Sequence, residues 1–292
     1  MKPVAFDYCR PETLDEATDV LQEHGSEASI LAGGLSLGPM LNMRLVRPIV
    51  VVDINRMVGL GEFVNGGDTV STGALMRQAD ALRDEELRRS VPLLAQALPH
   101  LGHYQTRSRG TFGGSIAHGD PSAEIPLCLV ALDGEVELAS RRGGRRMKAR
   151  DFFLGVLTTA RASDEMVTAL HWPKARRRTG HAFDEIAQRR GDFALAAAAC
   201  EAALDDGDKI ARLELGLGGI EDRPVAIDLS EFHGETASAE LGAAIADRVR
   251  SEVVPISDMA ADAEYRSELA GILAERVAMR AFAVAQGSEG GA

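Results

Sequence analysis

Cysteine is scarce in this sequence of 292 residues: Cys9, Cys128 and Cys200 are odd in number and far apart. No Cys-x-x-Cys pair occurs, which removes the usual zinc and iron–sulfur spacings and leaves no disulfide framework. Aromatic residues make up only 4%, so aliphatic side chains must fill the core. The two basic runs, 141–146 and 176–178, carry no interleaved aromatics on which nucleic-acid bases would stack. A net charge of −12 tells against a nucleic-acid backbone or an anionic membrane surface as partner. No apolar run has bilayer-spanning length, and the first residues lack an apolar signal core. The expectation is a soluble, cytoplasmic protein that neither inserts in a membrane nor binds nucleic acid.

Catalytic signatures are missing as well. The seven histidines include no His-Glu-x-x-His and no metal-ligand spacing, so no metal site is expected. Neither Ser36 nor Ser115 sits in a Gly-x-Ser-x-Gly elbow. The P-loop and the Gly-x-Gly-x-x-Gly fingerprint are both absent. His118 near Asp120 is an acid–base candidate, with a loop histidine bonded to backbone or ligand as the plainer reading. No catalytic residue is assigned, and a bound cofactor is the expected source of chemistry.

What is present is a pair of glycine turns. Leu31-Ala32-Gly33-Gly34-Leu35-Ser36-Leu37-Gly38-Pro39 and Arg107-Ser108-Arg109-Gly110-Thr111-Phe112-Gly113-Gly114-Ser115 each read as an apolar or β-prone run that breaks into paired glycines followed by a hydroxyl residue. Glycine admits backbone angles closed to other residues and lets another group approach closely. Successive N–H groups in such a turn make a concave donor site for an anion such as a diphosphate. Each pair alone marks a tight turn as readily; together they suggest a cradle for one phosphate-bearing ligand.

Around these turns, residues 11–25 predict a helix, with Thr13 and Glu16 as a capping box, Leu14, Ala17 and Leu21 facing inward, and Gly25 ending it. Strands are expected at 28–32 and 50–54, with a short helix or irregular turn at 41–46 stopped by Pro48. A strand at 69–73, helical spacing over 74–89 and a helix at 92–101 lead to the second turn. Asp120-Pro121 reads as a helix entry before the apolar run 125–132, and a basic turn at 141–146 separates strands at 135–139 and 166–172. Residues 173–179 mark a boundary. The alanines of 193–203 favour helix by propensity, but the turn at 205–208 and the apolar Ile210, Leu213, Leu215 and Leu217 beyond it favour two paired strands. A helix over 265–286 and a frayed tail at 287–292 close the chain.

Ala32-Gly33-Gly34-Leu35-Ser36-Leu37, with Arg44-Leu45 and Val52-Asp53-Ile54, resembles the first flavin motif of the medium subunits of molybdenum hydroxylases, the xanthine dehydrogenase and carbon monoxide dehydrogenase family. Residues 107–115, continuing through Ala117-His118-Gly119-Asp120-Pro121-Ser122-Ala123-Glu124-Ile125-Pro126, resemble the second. Asp151-Phe152-Phe153-Leu154-Gly155, Glu165-Met166-Val167 and Arg189-Arg190-Gly191-Asp192-Phe193 resemble further landmarks in the same order.

The resemblance implies an α+β chain: a two-subdomain FAD-binding fold of the vanillyl-alcohol oxidase (PCMH) type over 1–175, with subdomains at about 1–57 and 58–175. A C-terminal domain over 176–292, a three-stranded sheet with helices, follows. It implies an oxidoreductase subunit that passes electrons from [2Fe-2S] clusters to an external acceptor. FAD would be non-covalent, since no histidine or cysteine is clearly placed for attachment. Molybdopterin–molybdenum and the clusters would sit on a large and a small partner, assembled as a dimer of heterotrimers.

By motif matching, the backbone of Leu31, Ala32, Gly33, Gly34, Leu35, Ser36 and Leu37, and of Thr111, Gly113, Gly114 and Ser115, would hold the diphosphate. Leu101 and Gly102 would lie near the isoalloxazine ring, Glu124 would accept from the ribose, and Val167 and Phe193 would contact the flavin, with His118 completing the cofactor set. Core packing is the alternative for Leu101, Val167 and Phe193. Glu185 stands where some members place a lysine, which would withdraw a positive charge from the flavin. A freestanding flavin oxidoreductase of the same fold and a non-catalytic nucleotide-binding module are the rival readings, and residues 183–195 lean toward an N-heteroaromatic substrate for the complex.

Overall fold

The computed structural model describes residues 2–287, so the predicted tail, Gly287 apart, lies outside the described residues. The N-terminal unit is a parallel sheet in the order Asp7–Cys9, Val50–Asp53, Ala28–Leu31. Val50, Val51 and Val52 are fully buried, as a central parallel strand covered on both faces requires. The helix Leu14–His24 packs on it. Thr13 caps it by accepting from the Glu16 N–H at 3.2 Å, and the Glu16 carboxylate reaches back to the N–H of Glu12, one residue before the usual capping-box partner.

The helix expected at 41–46 comes earlier, at Leu37–Asn42, directly after the glycine turn. Pro39 is its third residue, where a missing N–H breaks no intrahelical bond. Arg44, with φ of +61°, turns the chain out before Pro48.

The second unit is an antiparallel sheet ordered Phe63–Asn65, Thr69–Gly73, Met166–Pro173, Glu135–Ser140, Gly143–Lys148. The basic run read as a turn is thus largely a strand. Its register sets Arg146 opposite Glu137 and Lys148 opposite Glu135, and these cross-strand ion pairs, at 2.8 and 3.2 Å, favour pairing over a solvated loop. Residues 74–89 form two short helices, Gln78–Arg83 and Glu85–Ser90. Asp84 breaks them and caps the second, accepting from the N–H groups of Glu86 and Leu87.

Pro121 does not open a helix. Asp120 accepts from the Ser122 N–H at 2.8 Å, closing a local turn, and the helix begins at Glu124 and runs to Ala131. The second glycine segment is likewise not a strand leading into a turn. It joins two helices, Tyr104–Arg109 and Phe112–His118.

The C-terminal unit carries the three long strands expected, Thr179–Ala187, Ala194–Leu204 and Ile210–Gly218, and a fourth, short one, Val225–Asp228, on the edge. The alanine-rich segment is a strand because small residues are needed on both of its faces. Ala196, Ala198 and Ala202 lie in the core built with the helix Ala263–Ala285, and Ala197 and Ala199 in the core shared with Glu124–Ala131. At Gly180 the same terminal helix comes so close that a Cβ would lie 1.9 Å from the Ala281 carbonyl oxygen. Tertiary packing overrides helix propensity here. A helix at Ala239–Glu252, capped by Ser238, was not anticipated. Among the described residues, no helix is long and apolar enough to cross a membrane.

Candidate functional site

The two glycine turns face one cleft of about 720 Å³, within the size range of small-molecule and cofactor sites. Its first wall follows the strand Ala28–Leu31. Gly34 takes φ of +77°, and none of the backbone N–H groups of Gly33, Gly34, Leu35, Ser36 and Leu37 has an acceptor among the described residues. That is an open row of donors on a concave wall, the arrangement that suits an anion.

The second turn contributes differently. The N–H groups of Phe112 and Gly113 are taken by the carbonyls of Met76 (3.1 Å) and Ala74 (2.8 Å), and that of Gly114 by the Thr111 hydroxyl (3.1 Å). Its glycines serve close approach, since a Cβ on Gly113 would stand 2.4 Å from that of Ala74. The hydroxyls of Ser36 and Ser115, both on the wall, have no protein partner among the described residues.

The turns touch each other. A Cβ on Gly33 would lie 2.4 Å from the Arg109 carbonyl oxygen, and Arg109 Nε donates to the Gly33 carbonyl at 3.3 Å. Behind them runs a clamp that pattern reading missed. Asn55 Nδ2 donates to the Ala32 carbonyl (2.8 Å) and to Asp53 (2.6 Å), while Arg77 donates to Asn55 Oδ1 (2.6 Å) and to the Arg109 carbonyl. Burial, and then the neighbouring Arg109, lowers the Arg77 pKa. Asn55 and Arg77 carry no periodic signal; only the tertiary meeting of the two turns gives them a role.

Of the cofactor-binding residues expected from the sequence, all but Leu31 line this cleft. Leu31 stands behind the first turn, its carbonyl accepting from the Ile54 N–H at 3.1 Å. Leu101 and Gly102 form the far wall, their carbonyls both accepting from Arg107 Nη1 at 2.7 Å. Glu124 opens the helix Glu124–Ala131 and is buried, its carboxyl accepting from its own backbone N–H. Desolvation pushes its pKa up to about 8, with the Glu185 and Asp120 carboxylates adding to the shift. Val167 is buried in the wall, and Phe193 stands at the mouth, 71% exposed. His118 makes no ion pair with Asp120, whose carboxylate is engaged by the Ser122 N–H.

Glu185 does not line the cleft. Its side chain is buried, with Oε1 3.2 Å from His100 Nδ1, and this hydrogen bond raises the His100 pKa. The negative charge expected of Glu185 is thus balanced locally whenever His100 is protonated.

The donor set fits a long ligand with an anionic centre. Among the described residues, Arg161 is the one guanidinium on the wall. Its Nη1 donates to the carbonyls of Ala162 (3.0 Å) and Glu165 (2.6 Å), and desolvation lowers its pKa. Gln78, 5% exposed, also lines the cleft, and its Oε1 is buried with no partner among the described residues. No cluster of histidine, cysteine and carboxylate residues suited to a metal occurs among the described residues.

Residues 4–175 match the FAD-binding domain in molybdopterin dehydrogenase, and residues 181–281 the carbon monoxide dehydrogenase flavoprotein C-terminal domain. The chain is 36% identical to the nicotine 6-hydroxylase medium subunit of Paenarthrobacter nicotinovorans, over 97% of this chain and 99% of that one. A chain of carbon monoxide dehydrogenase from Hydrogenophaga pseudoflava superposes with a TM-score of 0.93 at 31% identity, over 97% of this chain and 99% of that one. A chain of quinoline 2-oxidoreductase from Pseudomonas putida 86 does so with 0.91 at 32% identity, over 99% of both.

Proposed function

Because the chain belongs to the FAD-binding medium subunits of the molybdenum hydroxylase family, we propose that it is the electron-transfer component of a three-subunit dehydrogenase. Electrons arrive from [2Fe-2S] clusters on a small subunit, substrate is oxidised on a large molybdopterin subunit, and an external acceptor is reduced here. The carrying observation is the row of amides from Gly33 to Leu37, unclaimed among the described residues and fixed against Arg109. When bound, FAD supplies redox chemistry that accepts electrons singly and releases them singly or in pairs.

The chain's own residues bind and orient. The amides of 33–37 and the hydroxyls of Ser36 and Ser115 hold the diphosphate. Leu101, Gly102 and Val167 give the ring system a largely apolar wall. Glu124, neutral at pH 7 by its raised pKa, meets the ribose as a protonated carboxyl, accepting through its carbonyl oxygen. Phe193 shields the mouth from water. His118 is the one histidine, and no cysteine is found, on the cleft wall among the described residues, and FAD is taken to be held there without a covalent bond.

We place the FAD-binding domain at 1–175 and the C-terminal domain at 176–292. The substrate of the complex is assigned to the N-heteroaromatic class. Support comes from relatives named for nicotine and caffeine and from the likeness to quinoline 2-oxidoreductase. Co-purification of tagged chain with its neighbours, followed by cofactor and metal analysis, tests the assembly. The proposal expects FAD, iron and molybdenum to co-elute. A stable flavoprotein that reduces an acceptor from an organic substrate by itself is the contrary result.

A further inference from the structure

The far wall of the cleft, Leu101 and Gly102, is held from two directions. Arg107 fixes its carbonyls from one side. The other support comes from the C-terminal unit. Thr179–Ala187 is an edge strand of its sheet, and an edge leaves backbone groups without a strand partner. Gln96, in the helix Pro92–Ala97, satisfies two of them. Its Nε2 donates to the His181 carbonyl at 2.9 Å, and its Oε1 accepts from the Phe183 N–H at 3.2 Å. One helical turn further along, His100 meets the same strand. Its ring stands edge-on to Phe183 with centroids 5.2 Å apart, and its Nδ1 lies 3.2 Å from Glu185 Oε1. Beyond the strand, Gly191 closes on the wall itself, since a Cβ there would stand 3.1 Å from the Gly102 carbonyl oxygen.

Glu185 is the member of this seam that packing does not explain. Its side chain is 5% exposed, and its Oε2 is buried with no partner among the described residues. Burying a carboxylate so incompletely paired is unfavourable, and an apolar residue of the same volume would dock the strand at least as well. What the carboxylate supplies is direction: it fixes the imidazole of the residue that precedes Leu101. The other carboxyl groups facing His100 are those of Asp184 and Glu124. Asp184 is turned to Arg276 at 3.0 Å and Arg280 at 3.7 Å, and Glu124 lines the cleft. A wall that must seat a planar ring system has to be held to a fraction of an ångström, which is the work of such supporting pairs.

We propose that Glu185 is a positioning residue for the cofactor, fixing the Leu101–Gly102 wall through His100, so that the C-terminal unit sets the ring end of the cleft. The inference rests on the FAD reading of the cleft and adds a residue outside both glycine motifs. Glu185 then matters to a ligand that reaches the wall and not to one that ends at the diphosphate.

The test uses full-length chain stripped of flavin and titrated calorimetrically with FAD and with ADP, which carries a diphosphate and no flavin ring. Titrations are made near pH 6, below the Glu124 pKa of about 8, so that this carboxyl stays neutral throughout. Glu185→Leu should bind FAD about 5- to 100-fold more weakly, the range for one buried polar pair, and should bind ADP as wild type does. Glu185→Gln keeps an acceptor for Nδ1 and should recover most of the FAD affinity. His100→Leu, at a partly exposed position, should reproduce the loss, and decides the matter if Glu185→Leu fails to fold. The double leucine variant should lose no more than either single one. Equal losses for FAD and ADP, or losses that add in the double variant, overturn the proposal by marking a general packing defect. Full FAD affinity in the leucine variants overturns it directly. Wild-type chain that binds no FAD overturns the flavin reading itself, and with it this role.

Discussion

Replacing Gly33 by alanine adds one carbon at the tightest point of the cradle. The new Cβ would stand 2.4 Å from the Arg109 carbonyl oxygen and 3.1 Å from both the Arg109 carbonyl carbon and the Gly110 Cα. Non-bonded heavy atoms are comfortable at roughly 3.4 Å or more, so the turns must part by about 1 Å. The obstacle is backbone, and Arg77 and Asn55 hold it from behind, so relief by a rotamer change is closed. Overpacking of this kind costs roughly 1–3 kcal/mol, which for a chain of this size lowers the unfolding midpoint by roughly 2–10 °C. The same displacement tilts the donors of 33–37, and each hydrogen bond lost to a charged group is worth about 1.5–3 kcal/mol. FAD affinity should therefore fall about 10- to 100-fold or more. Gly38→Ala, in the same motif, is the control, because nothing lies within 4 Å of a Cβ there; it should bind FAD normally and melt no lower than wild type. Titration of both flavin-free variants with FAD, alongside thermal melts, decides it. If Gly33→Ala matches Gly38→Ala in both, the cradle geometry is wrong.

Gly34→Val should abolish FAD binding, since a β-branched residue must take φ of +77°; equilibrium dialysis with FAD reads this directly. The raised pKa of Glu124, about 8 against an ordinary 4.5, means the folded flavin-free chain holds a proton there that the unfolded chain has lost. Its stability should fall as pH rises from about 4.5 to 8. His100, whose pKa is also raised, contributes in the same direction, so Glu124→Gln should flatten part of that slope in urea melts, leaving the histidine's share. Glu165 is buried and accepts from Arg145 Nε and Nη2 at 2.6 and 2.8 Å and from the Ala162 N–H. Glu165→Ala should cost about 1–3 kcal/mol, measured by chemical denaturation, and should also loosen the segment that carries Arg161. Gly180→Ala should displace the terminal helix, whose Ala281 carbonyl a Cβ would strike, and the expected readout is loss of soluble folded protein in circular dichroism.

Local chemistry made much of the fold legible. Thr13 and Gly25 bound a helix, Val50 to Val52 read as a doubly buried strand, and residues 205–208 read as the turn of a hairpin. The glycine turns could be found because glycine and hydroxyl residues mark close approach and donor sites without knowledge of the tertiary fold. Elements whose form depends on a neighbour were misread. The basic run at 141–146 becomes mostly strand because Glu135 and Glu137 lie across from it, and the two helices of 78–90 are divided by a cap at Asp84. The strand at 194–204 was read correctly only from its hairpin turn, since its alanines reflect two helices pressing on its faces. Asn55 and Arg77 escaped notice for the same reason. Each acts on a segment about 22–32 residues away, and nothing in its own surroundings signals the contact.

The most direct measurement is the visible absorption spectrum of the purified full-length chain, with identification and quantification of whatever heat releases from it. One FAD per chain, released without proteolysis and rebound after removal, is the predicted result. A folded chain that is colourless and takes up no added FAD, alone or when produced with its partner subunits, would contradict the account.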